Sequence, residues 1–321
     1  MTKINQEKTK IFFSKNAPTW HKSEIGNVPF EKYPVVRLPK AIFHLSQFCS
    51  QRDNVLDVGC GGGVSFASLS ELGFKQIWGL DISEEMLNMA RDSSNKINND
   101  IPVKLIVGDT KSPTLPQSTF DAVLALGVAT YVDNVEELLL DIKNLLKPSG
   151  IACLDFRNKS FNLFSSNAYT MATDSKQIVE FIKEFANKFS EIETHSNSYT
   201  QLNLLDDNHF ANLQEVFNAE ISELVALNSN LTDEILKKDN KLPYTMDRTQ
   251  QTSLEVSKIV KKLKMTPLLF DYYHFHPLPP VFEKLMPRTF NMLGYLMESL
   301  GTTPAGFFQA SSFLAVIQNE R

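Results

Sequence analysis

Four of the five residues from Gly59 to Gly63 are glycine, in a chain with only 13 glycines among its 321 residues. They follow Val55-Leu56-Asp57-Val58, an apolar, partly β-branched run that reads as a buried strand. A flexible linker is not entered from a buried strand. The pattern predicts a tight turn whose backbone is bared toward a ligand, because glycine takes left-handed conformations and has no Cβ to obstruct the approach.

Beyond this turn the sequence alternates. A helical stretch at 64–73 closes on Gly73, and strand-like runs follow at 77–82, 103–109, 121–127 and 151–156. Ser83 is placed as an N-cap, with Glu84 and Glu85 beside the positive end of the helix it opens. A third helix is expected over 135–146, and Lys147-Pro148-Ser149-Gly150 reads as a turn. Strands alternating with helices at this spacing imply a parallel sheet covered on both faces. From 160 to 264 the strand pattern stops, and three amphipathic stretches take its place, around 178–189, 213–225 and 254–263. Strands resume at 267–275 and 311–318.

Composition narrows the partners. A formal net charge of -5 gives no general attraction to nucleic acid or anionic lipid, and Lys258 to Lys264 reads as the wet face of a helix. Cys49, Cys60 and Cys153 have no CxxC spacing, so neither a disulfide framework nor a metal site is expected. No apolar run approaches the roughly 20 residues of a membrane span, and the N-terminal segment lacks a signal-like apolar stretch. These features predict a cytoplasmic protein with a small-molecule partner, no nucleic acid and no membrane span.

In an open parallel sheet, ligands bind at the carboxyl ends of the strands, where the glycine turn lies. A dinucleotide fingerprint requires G-x-G-x-x-G/A. The frame from Gly59 meets Val64 in the third place, and the frame from Gly61 meets Phe66. A D-x-G-x-G-x-G pattern is present instead in Asp57, Gly59, Gly61 and Gly63. With GLDIS at 79–83, Gly108-Asp109, and FDAVLALGVATYVDN at 120–134, in that order, it resembles the class I S-adenosylmethionine-dependent methyltransferases, and IFFSKNAPTWHK at 11–22 resembles the entry segment of the ubiquinone-biosynthesis and related small-molecule enzymes.

The resemblance implies an α/β, Rossmann-like, mostly parallel seven-stranded sheet with helices on both faces and a helical insertion after the fifth strand. It implies S-adenosyl-L-methionine as cofactor, bound through Asp57, Gly59, Gly61, Gly63, Asp81, Ile82, Asp109, Thr110, Leu126 and Gly127. Asp81 would accept the ribose hydroxyls, Ile82 would lie on the adenine, and Asp109 with Thr110 would read the adenine edge. Leu126 and Gly127 would offer a carbonyl to the ammonium. His274 and His276 are candidate general bases, and Tyr131, Arg157 and Asn158 are candidate acceptor-binding residues. Residues 1–50 are expected to form a helical segment closing over the cofactor. Residues 51–159 and 265–321 would form the core, and 160–264 a helical cap over the acceptor. A non-catalytic cofactor-binding protein and methylation of a macromolecule are the alternatives, though the chain lacks an NPPY-type tetrapeptide after the fourth strand.

Overall fold

The computed structural model describes residues 3–20, 32–95, 97, 101–163, 249–278 and 281–320. Their elements are α1 (Lys3–Trp20), α2 (Arg37–Phe48), β1 (Asn54–Val58), α3 (Phe66–Glu71), β2 (Gln76–Asp81), α4 (Glu84–Ser94), β3 (Val103–Val107) and β4 (Phe120–Ala125). There follow α5 (Val135–Leu145), β5 (Leu146–Arg157), α6 (Ser253–Lys262), β6 (Met265–Phe275), α7 (Val281–Leu285), α8 (Pro287–Leu296), α9 (Ala305–Gln309) and β7 (Ala310–Asn319). The described strands form one seven-stranded sheet in the order β3-β2-β1-β4-β5-β7-β6. Its first five strands are parallel, and β7 runs antiparallel to both β5 and β6.

Side chains alternate across the sheet, so each strand feeds two layers. Leu56, Val123, Ala152 and Leu154 join α5 and α6 in one buried cluster, while Val55, Ala122, Leu124 and Cys153 join α2, α3 and α4 in the other. All six residues of β4 are buried, as a strand covered on both faces requires. Local chemistry starts the helices. Ser83 Oγ accepts the Met86 amide (3.2 Å), and Asn134 Oδ1 accepts those of Glu136 (3.0 Å) and Glu137 (3.3 Å). Thr252 and Glu255 close a reciprocal capping box on α6.

Three expectations are corrected here. The turn at 147–150 is instead an irregular stretch inside β5: Phe120 pairs with Leu146, and the register then shifts so that Ala122 pairs with Ile151. The helix expected at 64–73 starts at Phe66, because the glycine turn runs on through Ser65. The helix at 253–262, inside the range expected for the cap, lies on the sheet with Val256 and Val260 fully buried in its core. Residues 164–248, most of the expected cap, lie outside the described residues. No described helix is long and apolar enough to cross a membrane.

Candidate functional site

A cavity of about 550 Å³ opens at the carboxyl ends of the parallel strands, within the range of small-molecule sites. Its floor is built by the turn after β1 and the end of β2. The Gly59 and Cys60 amides both donate to the Leu80 carbonyl, at 2.7 and 3.1 Å. The Gly61 amide donates to Asp81 Oδ2 and the Ser83 amide to Oδ1, both at 2.9 Å. This stitching fixes the Asp81 carboxylate at the cavity floor, with its remaining lone pairs available. Burial raises the Asp81 pKa, against the three backbone amides that favour its charge.

Ser65 Oγ donates to Asp57 Oδ2. Burial is the largest influence on Asp57; the Ser65 bond opposes it and Asp81 reinforces it, leaving Asp57 pushed up to about 7.

Gly59, Gly61, Asp57, Asp81, Ile82, Asp109, Thr110, Leu126 and Gly127 all line the cavity. Gly63 does not. A Cβ there would lie 2.6 Å from the Phe66 ring, at a backbone φ of +76°, so this glycine serves the turn. A Cβ on Gly61 would meet only Met86 Cε, at 3.8 Å, and both residues line the cavity. Asp109 Oδ1 accepts the Lys111 amide (2.9 Å), and Thr110 Oγ1 donates to Asp141 (2.8 Å).

The opposite wall comes from the N-terminal segment, β5 and β6. Thr9 and Phe13 of α1 reach the cavity, with the Phe13 ring edge-on to Tyr131 at 5.4 Å. Ser14 ties α1 to the start of α4, with its Oγ 3.0 Å from Ser83 Oγ and donating to Glu85 (2.5 Å). Asp155 collects the Gly127 amide, the Tyr273 hydroxyl (2.9 Å) and Arg37 (3.4 Å). Arg157, next along the same face of β5, also lines the cavity.

The histidines separate. His274 lines the cavity and sits at φ +60°, in the left-handed region. Its amide donates to Glu298 Oε1 (2.6 Å), which also accepts the Tyr33 hydroxyl (2.5 Å), and the Tyr33 ring lies 4.2 Å from the imidazole. Burial, then His276 and Arg157, push the His274 pKa well below its usual value. His274 is therefore a neutral imidazole suited to hydrogen bonding, and a weak proton acceptor near pH 7. His276 is not on the cavity wall: it packs behind His274 between Phe161 (4.5 Å) and Phe290 (5.3 Å), and burial brings it to about 4.

Asn158 is a second correction. Its Nδ2 donates to the carbonyls of Phe307 and Ala310, both at 2.8 Å, and its Oδ1 accepts the Ser160 amide (3.1 Å). It holds the α9–β7 junction and does not line this cavity. Tyr273 and Glu298 escaped the sequence reading. The signal for Glu298 was present, since it is the one acid in the apolar run from Phe290 to Leu300.

Residues 56–154 match the methyltransferase domain family. A demethylmenaquinone methyltransferase of Tropheryma whipplei is 36% identical over 98 residues, 30% of this chain and 39% of that protein. A ubiquinone biosynthesis O-methyltransferase of Idiomarina loihiensis is 30% identical over 138 residues, 43% of this chain and 55% of that one. The chain thus spans 39% and 55% of the lengths of these two curated relatives. The crystal structure of magnesium protoporphyrin IX methyltransferase from Synechocystis with bound S-adenosylhomocysteine superposes with a TM-score of 0.52 at 12% identity. That alignment covers 98% of this chain and 100% of the other, a likeness of fold.

Proposed function

We propose that this chain, which carries a class I S-adenosylmethionine-dependent methyltransferase domain, transfers the methyl group of S-adenosylmethionine to a small-molecule acceptor. The observation that carries this reading is the Asp81 carboxylate, anchored at the cavity floor beside a glycine whose absent side chain leaves the approach open. A carboxylate with free lone pairs suits a vicinal diol. The same floor leaves no third glycine where a pyrophosphate would need one.

Asp81 would hold the ribose, with Ile82, Asp109 and Thr110 around the adenine and Gly127 at the amino-acid end. When bound, the cofactor supplies an electrophilic methyl group on a sulfonium. The chain's own work is then positioning and exclusion of water. Phe13, Tyr33 and Tyr131 wall the acceptor side with aromatic surface, and α1 roofs it. His274, held by Glu298 and Tyr33, offers a neutral imidazole that orients an acceptor hydroxyl or amine.

Calorimetric titration with S-adenosylhomocysteine and with NADH tests the reading. Binding of the first and not the second is expected. NADH binding without S-adenosylhomocysteine binding would overturn it.

A further inference from the structure

Two guanidinium groups line the cavity, and their surroundings differ. Arg37 pairs with Asp155 at 3.4 Å. That carboxylate is already occupied by the Gly127 amide, the Tyr273 hydroxyl and Arg37 together. Arg157 makes no side-chain hydrogen bond or ion pair with the described residues, yet it stands on the cavity wall in a half-buried position. The other carboxylates on the wall are Asp57 and Asp81, within β1 and at the end of β2, and Asp109, just past β3, on strands other than β5 and β6.

Asp155, on the same face of β5, is shared by three other donors, and the histidines beside Arg157 add no opposite charge. Among the described residues, His274 Nε2 is buried without a partner, and so are both ring nitrogens of His276 behind it. The two imidazoles stack at 5.0 Å, and Arg157 helps hold both of them neutral. A half-buried guanidinium with no partner among the described residues, beside an imidazole nitrogen likewise without one, leaves hydrogen-bonding capacity for a ligand at this wall. Aromatic rings share the lining: Tyr33, tilted against His274, and Tyr131, met edge-on by Phe13.

We infer that Arg157 and His274 form an anion subsite in the acceptor half of the cavity, and that the acceptor is a small organic acid whose carboxylate meets the Arg157 guanidinium while its planar apolar body lies among Phe13, Tyr33 and Tyr131. The inference rests on the methyltransferase reading for the identity of this half of the cavity. A guanidinium fork matches a carboxylate with two parallel hydrogen bonds, which a neutral amide of the same shape cannot reproduce.

Benzoate and benzamide, equal in shape and different in charge, are suitable probes. The full chain is saturated with S-adenosylhomocysteine, and each probe is titrated by saturation-transfer NMR at low ionic strength. Benzoate is expected to bind at least tenfold more tightly than benzamide. Arg157→Gln should abolish that preference while S-adenosylhomocysteine affinity stays within twofold, and Arg157→Lys should keep part of it. Thermal unfolding of each variant checks that the fold is intact. If benzoate and benzamide bind alike to the saturated protein, or if Arg157→Gln keeps the preference, the subsite is wrong and the cofactor reading stands. If S-adenosylhomocysteine itself does not bind, the cofactor reading falls and this one falls with it.

Discussion

Gly61 and Gly63 stand two residues apart in one turn and answer to different neighbours. Gly63 is bounded by its own helix, with the Phe66 ring 2.6 Å from where a Cβ would be, whereas Gly61 faces open space beside Met86. Alanine at either position incurs the left-handed penalty of about 1–2 kcal/mol. Gly63→Ala must also displace a core phenylalanine, so its total loss should reach about 2–4 kcal/mol, compared with about 1–2 for Gly61→Ala. Gly61→Ala should instead weaken S-adenosylhomocysteine binding. Urea unfolding and calorimetry on the same two variants separate these effects.

The buried titratable groups near this turn and behind His274 pull stability in opposite directions. His276, depressed to about 4, binds a proton in the unfolded chain before it does in the folded one, so its contribution is lost as pH falls from about 6.5 toward 4. Asp57, raised to about 7, acts inversely, and its contribution is lost as pH rises from about 4 toward 7. The two offset one another over much of this range. His276→Phe should therefore leave stability near pH 7 almost unchanged and remove roughly 3 kcal/mol of acid sensitivity between pH 6.5 and 4. Unfolding free energies measured at several pH values for wild type and variant test this. An unchanged difference across the range would contradict it.

At the scale of elements, Asn158 and Glu298 show how the acceptor wall is held. Asn158 fastens the end of β5 to the α9–β7 junction through two buried carbonyls. Glu298 fastens β6 to the N-terminal segment, with Lys40 of α2 reaching it at 3.4 Å and Asp271 at 2.8 Å. Asn158→Ala leaves those carbonyls buried and unpaired, which should cost about 2–3 kcal/mol of stability and leave cofactor affinity within twofold. A large loss of affinity in a well-folded variant would return Asn158 to the ligand site.

Elements governed by local signals were legible in the sequence. The Ser83 cap, the apolar run of β4 and the strand-then-glycine pattern at 55–63 are each written in consecutive residues. Asn158 and His276 were misplaced because their surroundings come from residues far along the chain, near 290 and 307–310, and no periodicity records that meeting. The irregularity at 147–150 was read as a turn for the same reason. Pro148 and Gly150 mark a bend, but pairing with Phe120 and Ile317–Gln318 keeps the flanking residues within the sheet.

The molecule as a whole gives a readout that needs no acceptor. A ligand that binds only the folded state stabilises it by about 2.7 kcal/mol at a concentration 100 times its dissociation constant. S-adenosylhomocysteine at that excess should raise the melting temperature by roughly 5 °C or more, with no shift from NADH. The absence of any shift despite measured binding would mean that the ligand engages a region that melts independently of the core.

The position of β7 also bears on synthesis. It lies between β5 and β6, with Ile151–Arg157 along one edge and Met265–Phe275 along the other. On a ribosome, β1 to β5 emerge first and can pair among themselves, bringing Asp57 and Asp81 together early. β6 emerges next and has no neighbour to pair with until residues 310–319 follow it. Over that interval the chain order leaves β6, with Tyr273 and His274, as an edge without its described partner, the kind of strand that other β-edges and chaperones engage.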